Sequence, residues 1–386
     1  TLQTEKKLCE AAASDTFFNS VLTLIETSVS DEVVSLSLAV LDLVGREQSG
    51  WSLFTRLSTV EAVSAVLKRS FMDYKNEEVE IDVHNSPSSR RKHMKKMQSL
   101  ANFDVVSNRT KLLGTMVLWR MYSIGEKICN KKSNLIVPEE AAALFSSDSI
   151  YLCTRTMADA NNSISFCSTS AIAVLLSVEA SRKTLVSKFS IEGTLFKLLK
   201  ESSSISVKCS AANALYQIAA DSSLRSNLVH IGNEDGVVLL LEFLYNARSP
   251  RRRMEAKLLA SAITHLCHLP ELCPSDEVVY KVIKLLSHEY YCIQHFGTLS
   301  LWALTYFGNK AVVHKIGKYN GMKQITHLLF RCQHEPTSST SEQIDHALLG
   351  LMYALSTCSE QLKQLVDCGG INAILYYLDI KKKDIC

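Results

Sequence analysis

Residues that interrupt regular structure are scarce in this sequence, which has 6 Pro and 14 Gly among 386 residues. Proline and glycine break helices and punctuate turns, so a chain this poor in both is expected to be mainly helical. Hydrophobic residues make up 47% of the chain, which is enough for a large buried core.

A strong charge of one sign is also lacking, because the net charge is +3. Nothing global therefore directs the chain toward nucleic acid or an acidic membrane surface. No apolar run approaches the roughly 18–20 residues that span a bilayer. The longest, Val237 to Leu244, is short and contains Glu242. We expect no nucleic-acid partner and no membrane insertion.

Paired cysteines are missing, although the chain has 12 cysteines. Without a C-x-x-C motif or a disulfide ladder, free thiols in a reducing compartment are predicted. A cytoplasmic location fits this pattern, and nuclear, cytoskeletal and organellar locations stay open. The motifs of serine hydrolases, zinc proteases and phosphate-binding loops are absent as well. We therefore predict no enzyme activity, no catalytic residue and no cofactor.

The segment His265–Cys273, HLCHLPELC, places two histidines and two cysteines close together. Zinc sites usually show closer cysteine pairs or two well-separated pairs. A helix end with buried Leu266 and Cys267 explains the segment equally well, so no metal site is predicted.

One order of helix, polar break and helix recurs along the chain. It occurs in Glu192–Val229, Asp235–Cys267, Asp276–Gly308 and Asn320–Cys358, each with apolar residues three and four positions apart. This spacing gives each helix one apolar face. The segments Asp31–Gly45, Ser58–Ser70, Asn108–Ile128 and Ala171–Lys188 are predicted to supply helices of further repeats.

Matching positions give the repeat length. Leu215, Ile263, Leu304 and Leu355 are separated by steps of 48, 41 and 51 residues. All-helical repeats of roughly 40–47 residues are typical of armadillo and HEAT proteins.

The chain resembles the armadillo-repeat family in residues that recur between repeats. They are a glycine that opens the second helix, a following leucine pair, and closing helices such as Ser210–Ala219 and Leu299–Gly308. The glycines are Gly193, Gly236, Gly321 and Gly370, and the leucine pairs are 198–199, 285–286 and 328–329. The resemblance implies an all-α fold, a right-handed α-solenoid whose third helices line a groove for extended partner segments.

In the nuclear import adaptors of this family, a ladder of Trp and Asn lines that groove. Here the Trp place holds Asn213 and Trp302, and the Asn place holds Gln217, His265 and Tyr306. Because this is not a ladder, the resemblance does not predict import cargo. We predict that Gln217, His265 and Tyr306 contact a partner, while Trp302 is expected in the core.

The predicted organisation is N-terminal helical repeats in residues 1–71, a charged loop insertion in 72–105, and one continuous solenoid in 106–386. The insertion joins an acidic block to a basic run that contains Arg90, Arg91 and Lys92. Opposite charge blocks without apolar periodicity favour a solvated loop. A nuclear address or a partner-docking arm is the alternative. Nucleic-acid binding is weaker still, because no aromatic residue interrupts the run.

A second basic run, formed by Arg251, Arg252 and Arg253, follows Ser249 and Pro250. Serine and proline suit a helix start, whereas cations in a first turn oppose the helix dipole. A solvated turn between helices is the favoured interpretation, and a contact with an acidic partner is the alternative.

The sequence as a whole predicts a non-catalytic scaffold or adaptor that binds extended or acidic segments of other proteins along the groove. One alternative is a permanent architectural subunit of a large cytoskeletal, axonemal or organellar assembly. The other is an exchange factor or chaperone for a folded client. The fold alone does not decide between these roles.

Overall fold

The computed structural model of the protein describes residues 15–46, 57–72, 107–131, 147–231, 234–269, 272, 274–306, 310–334 and 339–376. The chain divides into two compact units, Thr1–Ala214 and Leu215–Cys386. The sequence pattern places no boundary at that point, and the domain limits drawn from it stay a prediction.

The described part of the first unit is helical. Its helices are α1 Asp15–Thr27, α2 Asp31–Val44, α3 Leu57–Met72, α4 Asn108–Lys131, α5 Ser147–Thr156, α6 Asn162–Ser177, α7 Glu179–Phe189, α8 Ile191–Glu201 and the start of α9 Ile205–Ala220. Helices α2, α3 and α4 lie where the apolar spacing predicts them, and α6 and α7 divide the segment from Ala171 to Lys188 as expected.

The second unit begins within α9 and continues the same succession of helices. Its further helices are α10 Gly236–Asn246, α11 Arg253–Cys267, α12 Asp276–Leu285, α13 Tyr291–Tyr306, α14 Lys310–Lys318, α15 Gly321–His334, α16 Ser339–Ser356 and α17 Ser359–Asp367. A last helix starts at Gly370, and short 3-10 turns occupy Arg225–Leu228 and Pro250–Arg252.

One feature of the second unit departs from the helical expectation. Strands β1 His230–Ile231 and β2 Glu234–Asp235 pair antiparallel just before α10. Asp235 then caps α10, since its Oδ1 accepts hydrogen bonds from the amides of Val237 and Val238. Such a cap satisfies backbone donors that have no partner inside the helix.

The helices of the second unit follow each other as first, second and third helices of repeats. Helices α14, α15 and α16 form one complete set, and α12 with α13 forms a second and third pair. The third helices α11, α13 and α16 pack against one another in succession. No single helix could bury its apolar face alone, so this stacking creates the core.

Helix α12 shows why these segments are helical. Its buried side chains include Val278, Val279, Val282 and Ile283, which recur at helical spacing on one face. The Oγ of Ser275 accepts a hydrogen bond from the amide of Val278 and caps the helix. The opposite face stays in water, which is the pattern expected of a surface helix.

The glycines at the starts of second helices have different surroundings. A Cβ on Gly236 would lie 1.8 Å from the carbonyl oxygen of Leu228, and a Cβ on Gly321 would lie 2.5 Å from Cγ2 of Ile316. Only glycine permits these close approaches between a first and a second helix. Gly193 differs, because a Cβ there would meet nothing within 4 Å.

The core contains the residues that the repeat pattern selects. The matching positions Leu215, Ile263, Leu304 and Leu355 are all buried, and so are the three leucine pairs. The described cysteines are free thiols: Cys153, Cys167 and Cys267 are buried, and Cys209, Cys292, Cys358 and Cys368 are half-buried.

Candidate partner-binding surface

An aromatic surface lies on the neighbouring third helices α13 and α16 of the second unit. We call Trp302, Tyr306 and Tyr353 the aromatic surface. The ring of Trp302 lies against Gly350 of α16, where a Cβ would meet the indole at 3.1 to 3.3 Å. Trp302 is nevertheless 36% exposed, so the expectation that it belongs to the core is wrong. A glycine on the facing helix lets the ring lie across the junction with one face in solvent.

The two tyrosines of this surface are much more exposed than the tryptophan. Tyr306 is 73% exposed and Tyr353 is 77% exposed. Tyr306 is the last residue of α13, one helical turn after Trp302, and Tyr353 lies one turn after Gly350. Large aromatic side chains of this kind supply much of the binding energy in protein interfaces.

Sequence reasoning missed Tyr353, although its position can be found by counting. The step of 51 residues that matches Leu304 with Leu355 also matches Trp302 with Tyr353. Tyr353 therefore occupies the Trp place of its repeat. The longer polar break before α16 obscures this correspondence when the segments are read side by side.

The other two predicted groove residues lie on the preceding third helices. Gln217 is half-buried on α9, next to Tyr216. The ring of His265 on α11 lies 5.8 Å from that of Tyr216, measured between centroids. The structure thus brings the Gln217 and His265 segments to adjacent helices. Whether they contact a partner stays a prediction.

The surroundings of His265 lower its pKa. Burial lowers its pKa, and the charge of Arg225 and the neighbouring His268 lower it further. Nη1 of Arg225 also donates a hydrogen bond to the backbone carbonyl of His265. A neutral imidazole at physiological pH follows, so His265 would act toward a partner as a polar, uncharged side chain.

The three arginines of the second basic run have unequal roles. Arg252 donates two hydrogen bonds to the buried carboxylate of Glu255, since its Nε lies 2.8 Å from Oε2 and its Nη2 lies 2.6 Å from Oε1. Its Nη1 donates a third hydrogen bond to the backbone carbonyl of Asn246. Arg251 and Arg253 are exposed. The sequence pattern did not show that Arg252 already has an acidic partner inside the chain.

The remaining predicted contact residues, Arg90, Arg91 and Lys92, lie outside the described residues, and so do residues 73–105 of the predicted insertion 72–105, whose residue 72 ends α3.

The segment from His265 to Cys273 is described in part, because residues 270, 271 and 273 lie outside the described residues. Burial raises the pKa of Cys267 to about 12, so its thiol is protonated at neutral pH. Across the residues that the structure describes, no group of three or more His, Cys, Asp or Glu could hold a metal ion. Within the same ranges, no helix combines the length and the apolar character needed to cross a membrane.

Neither a family model nor a curated protein sequence matches this chain. Solved structures do. A chain from the structure of the phosphorylation-switched interaction between cadherin and beta-catenin matches with a TM-score of 0.65 over 99% of this protein, at 12% identity. SYS-1 matches with a TM-score of 0.60 over 92%, also at 12% identity. The chain has the armadillo-repeat fold.

An engineered protein also matches, with a TM-score of 0.52 and 16% identity, over 97% of this armadillo-fold chain and 89% of its own length. The chain spans 63% of the length of the chain from the cadherin and beta-catenin structure and 61% of the length of SYS-1. At such identities the likeness shows the fold alone. It confirms the all-α armadillo-type solenoid that the repeat pattern predicts.

Proposed function

We propose that this protein is a non-catalytic scaffold that binds segments of other proteins across the third helices of its second unit. The observation that carries the proposal is the pair of largely exposed tyrosines beside Trp302 on two adjacent helices. Tyrosine and tryptophan combine a large apolar area with a polar group and lose little conformational entropy when bound. An aromatic row on stacked helices suits an extended segment that crosses one repeat after another.

One of the matching structures supports a protein-binding role. It is of an interaction between cadherin and beta-catenin, that is, of two proteins with each other. The free thiols among the described residues fit a reducing compartment such as the cytoplasm, which the proposal adopts.

The experiment is a peptide-display selection against the intact protein, repeated with the double variant Tyr306→Ala/Tyr353→Ala. We expect the selected segments to bind the wild type and to lose at least about tenfold in affinity with the double variant, because two interface aromatics are removed. The matched control is Phe17→Ala/Leu24→Ala, two side chains that are also exposed but lie on α1 of the first unit.

The control should bind the selected segments as the wild type does. Segments that bind all three proteins equally would contradict the aromatic surface as the binding site. Circular dichroism of each variant shows that a loss of binding is not a loss of folding.

A permanent subunit of an assembly is the second candidate, and a different observation favours it. Leu362 and Val366 of α17, and Ile371 and Leu375 of the last helix, are 43% to 59% exposed. Apolar side chains one turn apart on two successive helices suit a lasting interface more than a reversible one. Native mass of the endogenous protein at low and then high salt separates the two: stoichiometric partners that stay bound in high salt favour the subunit.

A further inference from the structure

A second surface of the second unit combines cations from one turn with a tyrosine from the neighbouring turn. We call Arg248, Arg251, Arg253, Met254 and Tyr290 the arginine surface. The first four come from the turn between α10 and α11 and the start of α11, and Tyr290 comes from the turn between α12 and α13. All three arginines and Met254 are exposed, and Met254 is 59% exposed.

Aromatic rings hold two of these guanidinium groups in place. The Cζ of Arg253 lies 5.2 Å from the ring centre of Tyr290, and the Cζ of Arg248 lies 5.6 Å from that of Tyr245. The hydroxyl of Tyr290 donates a hydrogen bond of 3.4 Å to the backbone carbonyl of Arg248. Cation–π contacts of this kind reduce the freedom of the side chain while leaving its N–H donors open.

Tyr290 thus connects the turn before α13 with the turn before α11. Its ring contacts the guanidinium of Arg253 and its hydroxyl contacts the backbone carbonyl of Arg248, so it positions one side chain and the backbone of the other. Preorganised groups lose less entropy when they bind, and affinity rises accordingly.

The charge of this surface is not neutralised from within. The carboxylate of Glu255 is buried and bound to Arg252. Glu289 is exposed beside Tyr290 and is the acidic side chain of that turn. No carboxylate among the described residues forms an ion pair with Arg248, Arg251 or Arg253. Three guanidinium groups therefore face solvent against one glutamate.

We propose that the arginine surface binds an acidic segment of a partner protein, with carboxylates on Arg248, Arg251 and Arg253 and an apolar side chain on Met254. Arginine matches the planar carboxylate with two parallel hydrogen bonds, and three such groups select a segment with several acidic residues. The exposed methionine adds an adaptable apolar contact that a nucleic-acid backbone would not use. This rests on the proposed scaffold role but uses a different surface.

The test measures fluorescence anisotropy of a labelled glutamate- and leucine-rich peptide with the intact protein at about 0.15 M salt. The variant is Arg248→Glu/Arg251→Glu/Arg253→Glu, which leaves Arg252 with Glu255. We expect at least about a tenfold loss of affinity, because reversed charges repel the probe. Tyr290→Leu should weaken binding severalfold, since it frees Arg253.

The matched control is Lys310→Glu/Lys323→Glu/Lys363→Glu, three exposed lysines elsewhere in the same unit. It makes the same change in net charge and should alter the affinity less than about twofold. An equal loss in both triple variants would overturn the proposal, because only net charge would then matter. So would the absence of binding to the wild type, or tighter binding of an oligonucleotide of equal charge.

If charge reversal prevents folding, Arg248→Gln/Arg251→Gln/Arg253→Gln replaces it with the same expected direction. The double variant of the aromatic surface, Tyr306→Ala/Tyr353→Ala, should bind the acidic probe normally. Failure of the arginine surface is thereby distinguished from failure of the third-helix surface.

Discussion

At the scale of single residues, the pair of Arg252 and Glu255 shows how a buried charge is accommodated. Glu255 is 1% exposed, and Arg252 binds both of its oxygens. A buried carboxylate without a partner is costly, whereas a fully hydrogen-bonded pair is tolerated. The pair also fixes the 3-10 turn Pro250–Arg252 against α11, which positions the exposed arginines on either side of it.

Replacing Arg252 by leucine should therefore destabilise the protein by about 3 kcal/mol, because the carboxylate stays buried without its partner. The double variant Arg252→Leu/Glu255→Leu should recover much of that loss, since no charge remains buried. Urea unfolding measures both. If Arg252→Leu left stability unchanged and instead weakened binding of an acidic partner, the internal role would be wrong.

At the scale of elements, the glycines at the starts of second helices have a packing role in some repeats and none in another. Gly236 opens α10 where the backbone of Leu228 leaves no room for a side chain. Gly193 lies in the first turn of α8 with open space around it. Packing therefore requires the glycine at 236, whereas it does not require the one at 193.

Alanine substitution at the two positions should have opposite effects. Gly193→Ala should stabilise the protein by about 0.5–1 kcal/mol, because alanine restricts the unfolded chain and favours the helix. Gly236→Ala should destabilise it by at least about 3 kcal/mol, since a Cβ cannot fit 1.8 Å from a carbonyl oxygen.

Thermal or urea unfolding of the two alanine variants provides the measurement, and each serves as the control for the other. Equal effects of the same sign would show that the close contact at Gly236 is not present in solution.

At the scale of the whole molecule, the second unit carries several buried or half-buried histidines. Burial lowers the pKa of His265, His288 and His295 from the ordinary value of 6.5. Arg225 and His268 lower that of His265 further, and at His288 the charge of Glu289 opposes the shift. Each group is therefore neutral in the folded protein and takes up a proton more readily when the chain unfolds.

Stability should consequently fall as the pH decreases from about 7.5 to 5.5. A histidine whose folded pKa is lowered contributes stability that is present above its ordinary pKa. That contribution is lost as the pH falls through the lower, folded pKa. The urea midpoint at several pH values measures the effect. His295→Leu should reduce the slope, because it removes a half-buried imidazole whose pKa is lowered by burial. A midpoint that rises on acidification would contradict this account.

The fold class and the register of the repeats follow from local apolar spacing alone. Apolar residues at helical spacing decide which face of each segment must be buried, and the steps between Leu215, Ile263, Leu304 and Leu355 give the repeat length. All four residues are buried in the structure, as their spacing predicts.

Which surface residues a partner can reach depends instead on contacts formed in the folded chain. Arg251, Arg252 and Arg253 are alike in sequence, but Arg252 pairs with the carboxylate of Glu255 in α11 while Arg253 stacks on a tyrosine from another repeat. Trp302 lies against Gly350 of α16 and remains 36% exposed. The contacts of Arg253 with Tyr290 and of Trp302 with Gly350 join residues distant along the chain, which no periodicity in the sequence records.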